Sequence, residues 1–500
     1  MAKQKRARPK LKLTCASLML PLLLSLAACS GQAAGPINPT ATAVAQPATA
    51  PAATHIPAPT PSNVPSITAP HPTAASSTAT AAPSTSNGTD WTTYHRDNLR
   101  TGYLPDMPDP QQLAVAWNTV LDGAVYGEPL VVGGHVLVAT EMNSVYSLDA
   151  HSGQIEWHTN LGEAVTSDAL PCGNISPLGI TSTPVYDPAT GLIFVVAEVS
   201  GPSHILAGLD IHTGEVRVRR SADPDGMDPV THQQRAALML SQDMVYVGYG
   251  GLYGDCGNYH GWVVASRTDG TGPLLAYQVP TQREGGIWAA SGPAMDAAGH
   301  LYVSVGNGSA VQGDDWDHSD AVLRLSSALQ LEDGFAPEQW PEDNAADADL
   351  GSLGPVLLPN SLVFIAGKSG AGYLLNADAL GGVGGQLLSR PVCHAYGGAA
   401  VVGSSIFVPC NEGVQQIQVK SGTSMTLGWR ASETSGSPVV GGKTVYSIDP
   451  NGTLYALGIQ TGKVRASVQV PATSRFATPT LFGNQVFIGT LTGVVAVNAS

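Results

Sequence analysis

The sequence predicts an all-β fold: an eight-bladed β-propeller of four-stranded antiparallel blades, closed by an N-terminal strand. Three observations lead there. Strand–turn–strand units recur along residues 90–500, eight inner strands can be counted among them, and the last repeat stops one strand short.

The chain ahead of the repeats is of another kind. Residues 1–12 carry six basic residues, Lys3, Lys5, Arg6, Arg8, Lys10 and Lys12, and no acid. The apolar run LMLPLLLSLAAC follows and ends at Cys29. A basic segment before a short apolar core reads as a secretory signal over residues 1–28, and the core is too short for a comfortable transmembrane helix. The ending Leu26-Ala27-Ala28-Cys29 resembles a bacterial lipobox, in which Cys29 becomes the lipidated first residue. A plain signal cut after an A-x-A-like site is the alternative.

Residues 30–89 contain no Lys, Arg, Asp or Glu and are dominated by Ala, Pro, Thr and Ser. Such a segment cannot bury enough apolar surface to fold. Residues 29–89 therefore read as a disordered tether between a membrane surface and the head. The head, residues 90–500, holds all 38 acidic residues and all but six of the 23 Lys and Arg. That balance argues against nucleic acid and against direct docking on anionic lipid.

Within the head, four stretches show the period most clearly: VYSLDAHSGQIEW (145–157), LAGLDIHTGEVRV (206–218), IQVKSGTSMTLGW (417–429) and LYALGIQTGKVRA (454–466). Each is an alternating strand, a Ser/Thr-Gly turn and a second strand, which is a hairpin signature. Ahead of such units recur other strand–turn–strand segments, among them GEPLVVGGHVLVAT (127–140), STPVYDPATGLIFVVA (182–197) and GSPVVGGKTVYSI (436–448). Two hairpins make one blade, with inner strands expected to begin near 124, 180, 235, 288, 352, 396, 436 and 476. Roughly 50 residues per unit suits a propeller blade. The last repeat ends after its third strand, GVVAVNAS, and the stretch VAWNTVLDGAV (115–125) matches IEWHTNLGEAV (155–165) in register. An N-terminal strand in the last blade removes the open edge a ring would otherwise expose.

This arrangement maps the loops. Those leading into inner strands, and those between second and third strands, open on one face; first-to-second-strand connections open on the other. Cysteines stand at 15, 29, 172, 256, 393 and 410, and the last four belong to an exported head where pairing is the default. Cys172 and Cys256 fall on one face of neighbouring blades, and Cys393 and Cys410 flank one hairpin. The expected bridges are 172–256 and 393–410.

The repeat y-x-L-D-x-x-T-G-x-x-x-W and the opening WTTYHRDNLRTGY (91–103) resemble the pyrroloquinoline-quinone-binding propeller superfamily over essentially the whole head. That superfamily contains quinoprotein alcohol dehydrogenases, with quinone and Ca2+ on the propeller axis. It also contains non-catalytic members, such as the lipoprotein propeller of the outer-membrane β-barrel assembly machinery. Repeats of this kind imply fold and leave chemistry to the site. The resemblance suggests Trp288 of GGIW as the residue on which a quinone stacks, with spacing to the next strand about two residues longer. It suggests Asn307 of VGNGS as a calcium ligand, Asp349 of DADLGSLGP as the base, and Lys368 of GKSGAGYLLN as a quinone contact. Hard cations want oxygen ligands, and alcohol oxidation wants a carboxylate base beside an electrophilic quinone.

Departures from the dehydrogenase pattern stand beside these echoes. No adjacent Cys-Cys pair and no C-x-x-C-H occur. Where the family motif supplies a metal glutamate and a quinone-contacting arginine, GGLYGDCGNYHGWVVA (250–265) places Cys256 and His260. Asp255 and His260 keep a secondary claim to the metal and the cofactor. The acidic stretch GDDWDHSD (313–320) reads as a solvated surface or, alternatively, as a cation loop without the glycine and distal glutamate of an EF-hand. His232 and Arg235 open blade three on the same face as Cys256, and His394 opens blade six, yet a Cys/His metal site needs three or four converging ligands.

The reading that follows is a lipid-anchored, extracytoplasmic propeller at the cell envelope, at the cell surface or in the periplasm. It acts as a non-catalytic module that binds a protein, peptide or glycan on its loop-rich face. The alternative is a pyrroloquinoline-quinone-dependent alcohol or sugar dehydrogenase with an altered metal site, which would take the quinone and Ca2+.

Overall fold

A computed structural model describes residues 90–420 and 424–500. The signal segment, Cys29 and the tether lie outside the described residues, as do residues 421–423. The head is an eight-bladed propeller. Its inner strands are Leu130–Val132, Val185–Asp187, Met239–Ser241, Ala294–Met295, Val356–Leu358, Ala400–Val402, Val439–Gly441 and Thr480–Phe482. Each opens a sheet whose successive strands pair antiparallel. In blade eight the outer strand comes from the other end of the head: Leu113–Val120 pairs with Gly493–Ala499.

Inner strands begin three to six residues later than the sequence pattern suggests. In six of the eight blades the cause is proline. Pro129, Pro184, Pro293, Pro355, Pro438 and Pro479 each stand immediately before an inner strand. Proline has no N–H for the ladder and disfavours compact backbone in the residue before it. Apolar residues ahead of the proline therefore run as loop across one face of the ring.

Three blades carry a fifth short strand. Tyr103–Leu104 joins the inner edge of blade seven in parallel, His232–Gln233 pairs in blade three, and Gly382–Val383 adds to the outer edge of blade four. Second strands such as Leu301–Val305 are buried throughout, whereas outer strands such as Ile155–Asn160 alternate. Sheets stacked face to face bury both sides of inner strands, and the rim wets one side only.

The repeat's recurring Trp and Gly meet between blades. Trp117, on the strand that completes blade eight, donates from Nε1 to Ala150 O of blade one at 3.0 Å, and Thr119 Oγ1 donates to Gly153 O at 2.7 Å. Trp157 and Thr159 of blade one do the same to Ile211 O and Gly214 O of blade two, at 2.8 and 2.7 Å. Trp429 of blade six reaches Ile459 O of blade seven at 2.9 Å. Each ring lies flat on the glycine of the next blade's turn, where a β-carbon on Gly153, Gly214 or Gly462 would overlap it. Those glycines also hold φ near +70°, the left-handed region that glycine enters without penalty.

The stretch 91–104 crosses the ring and bonds to inner strands. Trp91 pairs with Val131, Thr92 O accepts from Tyr186 N, Asn98 O from Met295 N, Thr101 O from Val401 N and Gly102 O from Val440 N. Arg100, 3% exposed, is saturated: Nε donates to Pro293 O, Nη1 to Thr93 Oγ1 and Tyr94 O, and Nη2 to Leu238 O. This segment plugs one end of the central channel and leaves the loop face open. Among the described residues, no helix is long and apolar enough to cross a membrane.

Candidate functional site

On the loop face the channel widens into a cavity of about 680 Å³. It is built from loops entering inner strands and from second-to-third-strand loops, as the face map requires. The residues four places before the inner strands of blades one, three, six and eight are Tyr126, Arg235, Tyr396 and Phe476, and all four line it. Trp288 stands six places before its strand, two more than these, and lines the cavity as well.

Trp288, Asn307, Asp349 and Lys368 come together on one wall. Asp349 is 2% exposed. Its Oδ1 accepts from Asn307 N at 2.8 Å and from Trp288 Nε1 at 3.4 Å, and its Oδ2 pairs with Lys368 Nζ at 2.5 Å. Lys368 Nζ also pairs with Asp347 Oδ1 at 2.6 Å and sits 5.6 Å from the centroid of the Trp288 ring. Gly306 makes this possible, because a β-carbon there would strike the Asp349 carboxylate. Burial works against charge on Lys368, but Asp349 and Asp347 outweigh it and hold the ammonium above its usual range. Burial likewise pushes the Asp349 carboxyl up, and Lys368 opposes that push.

Asp255 lines the same cavity from blade three, where its Oδ1 accepts from Tyr259 OH at 2.6 Å. His260 lies to the side of the cavity: its N–H donates to His232 Nε2 at 3.2 Å, and its ring faces Thr281 at 3.5 Å. Burial lowers the proton affinity of the His260 ring. Both cysteine bridges are present, with Cα atoms 6.1 Å apart for Cys172–Cys256 and 5.8 Å for Cys393–Cys410. The first ties the loop entering blade two to the rim loop of blade three, beside Asp255.

The acids of GDDWDHSD diverge. Asp314 caps Val311 N, Asp317 holds Ser319, and Asp320 is buried with Oδ1 accepting from Leu350 N at 2.9 Å. Among the described residues, the one group of His, Cys, Asp or Glu close enough to share an ion is Cys393, Cys410 and Glu412. Its two cysteines are bonded to each other.

Sequence reasoning singled out Arg235 only as a residue beginning a blade, and it missed Tyr126, Tyr396, Arg475 and Phe476. The Arg235 guanidinium stacks over the Phe476 ring at 5.2 Å, and that of Arg475 over Tyr396 at 4.0 Å. A fixed offset from the inner strand would have found most of them.

Residues 109–248 and 418–500 match the family described as outer membrane protein assembly factor BamB. The cavity wall with Trp288, Asn307, Asp349 and Lys368 falls between these two stretches. No curated protein matches the chain. Among solved structures, a europium-containing methanol dehydrogenase is 15% identical, with TM-score 0.66, covering 82% of this chain and 98% of its own. The quinohemoprotein alcohol dehydrogenase from Comamonas testosteroni is 15% identical, with TM-score 0.64, covering 84% and 81%. BamB from Moraxella catarrhalis is 14% identical, with TM-score 0.54, covering 78% and 100%. Likeness at this identity speaks for the fold, which catalytic and non-catalytic proteins share. On the eight sheets, the matched repeats and these neighbours, the head shares its fold with pyrroloquinoline-quinone-like β-propellers.

Proposed function

We propose that the protein is a lipid-anchored, extracytoplasmic binding module without catalytic turnover, and that the loop-face cavity receives part of a bound protein, peptide or glycan. Cys29 carries the anchor and residues 29–89 form the tether. One observation carries the non-catalytic part: the groups that alcohol oxidation would need are occupied by one another. Lys368 Nζ lies within 2.6 Å of both Asp347 and Asp349. A calcium ion takes six to eight oxygens, carboxylates foremost. Here the positive charge facing the two aspartates is an ammonium, and a divalent ion at the same place would be pressed against it. The donor set does not fit calcium. Cys256 adds to this, since its sulfur is bonded to Cys172.

The dehydrogenase reading keeps one favourable observation, the convergence of Trp288, Asn307, Asp349 and Lys368 on one wall. Titration of the purified protein with pyrroloquinoline quinone and Ca2+, followed by tryptophan fluorescence and dye-linked alcohol oxidation, separates the two. The expected result is no calcium-dependent turnover. Turnover that Asp349→Asn abolishes would replace the binding module with the enzyme.

A further inference from the structure

We propose that Arg235 anchors a carboxylate: the loop-face cavity takes a ligand that ends in a carboxylate group, with Gln233 as the second donor. This rests on the binding-module reading and names the chemistry of what is bound.

Arg235, with Tyr126 and Phe476, separates the cavity from the plug. It lines the large cavity and also a void of about 20 Å³ beneath it, whose other walls include Tyr94 and Glu128. Stacking on Phe476 fixes the plane of the guanidinium and leaves its N–H edge free. Among the described residues it donates no hydrogen bond and forms no ion pair. Arg100, deep in the plug, donates four. Arg235 is half-buried and faces the cavity, where a carboxylate can take the place of water at its N–H edge in a charge-assisted pair.

Neighbouring carboxyls do not take that place. Glu141 is pushed up to about 8 by burial, against the Gly179 N–H that its Oε2 accepts, so it holds its proton at neutral pH. Glu198 accepts from Gln234 N at 2.8 Å and faces His204 at 3.7 Å. The His204 ring is raised to about 9: burial opposes its charge, but Asp223 and Glu198 outweigh it. Glu198 thus already has a cationic partner.

An independent observation points to the same floor. Gln233 is 4% exposed and lines the cavity, and its Nε2 has no hydrogen-bond partner. Buried polar groups are normally paired, and each exception asks for a partner the chain does not supply. Arg235 and Gln233 stand two residues apart and both line the cavity, and with the buried Gln233 amide unmatched they offer donors for the two oxygens of a carboxylate. Asp255, Asp347 and Asp349 line the same cavity, so Arg235 is the group there toward which an acid would turn.

A carboxylate has two sources, a free small acid or the acidic side chain or C-terminus of a peptide. Calorimetry on the full chain distinguishes them, using glutarate against glutaramide and a glutamate-rich peptide against its amidated glutamine counterpart. The expected result is that an acid binds, its amide does not, Arg235→Gln weakens binding about ten- to a hundredfold, and Arg235→Lys keeps part of it. Binding of glutarate identifies a free acid, and binding of the peptide alone identifies a peptide ligand. Equal binding of acid and amide, unchanged affinity in a folded R235Q, or no binding by either acid overturns the inference. Should R235Q melt early, the acid–amide comparison on the wild-type chain decides by itself. Quinone turnover would sink the binding-module reading without moving this comparison, and failure of the comparison leaves that reading standing.

Discussion

Glu141 lies beside Arg235 with 3% of its surface exposed, and its Oε1 has no hydrogen-bond partner. Burial raises its carboxyl to about 8, with Gly179, Thr181 and Arg235 opposing and Glu198 assisting. In the unfolded chain the same group ionises in the ordinary range, near 4.5. Between those values the native state binds more protons than the unfolded one, so stability is full at low pH and falls as pH rises toward 8. Glu128 and Asp320, also pushed well up by burial, act in the same direction. Urea denaturation across pH 5 to 8.5 should therefore show a decline on the alkaline side. Glu141→Gln should flatten it by about 2–3 kcal/mol. Parallel curves for the two proteins would mean that Glu141 is ionised in the native state, and that Arg235 has its anion already.

Between blades, the Trp–Gly joint is the repeated unit of contact, and the joint that brings blade eight onto blade one has the same parts as the joint from blade one to blade two. Trp117 and Trp157 are both half-buried, and each donates one hydrogen bond while covering a turn glycine. Trp117→Ala and Trp157→Ala should each cost about 2–4 kcal/mol, the lost packing plus an unpaired carbonyl. Chemical denaturation of both variants checks it. A silent Trp117 beside a costly Trp157 would show that the N-terminal strand contributes little to the ring. The parts of this joint were legible in the sequence, because Ser/Thr-Gly turns and a following Trp recur, but which turn each Trp covers was not. Inner-strand starts were less so: apolar alternation runs on through the proline, and only the missing N–H stops the ladder. Half of the cavity was not legible for a related reason. Tyr126, Arg235, Tyr396 and Phe476 share a position across three residue types, so the repeat hides them. Trp288, Asn307, Asp349 and Lys368 could be picked out because each sits in a short motif, although their mutual pairing depends on the Gly306 approach and on loops from separate blades.

At the scale of the molecule, the head is a cup: plugged at one end by residues 91–104, open at the other, its rim held by Cys172–Cys256 and Cys393–Cys410. Charge divides the chain more sharply than sequence repeats do. Residues 90–500 hold all 38 acidic residues and 17 Lys and Arg, while residues 30–89 hold neither sign. A body of that charge is repelled by anionic lipid, and a neutral Ala/Pro/Thr/Ser segment has no amphipathic face with which to lie on a membrane. Under the proposed lipid anchor, retention at the membrane would depend on acyl chains at Cys29 and on no second electrostatic contact. Cys29→Ser is accordingly expected in the soluble fraction on cell fractionation, at low and high salt alike, while the wild-type protein sediments with membranes. Sedimentation of the variant at low salt only would reveal a basic or lipid-binding surface that the head's charge argues against. Sedimentation at every salt concentration would mean that Cys29 is not the anchor.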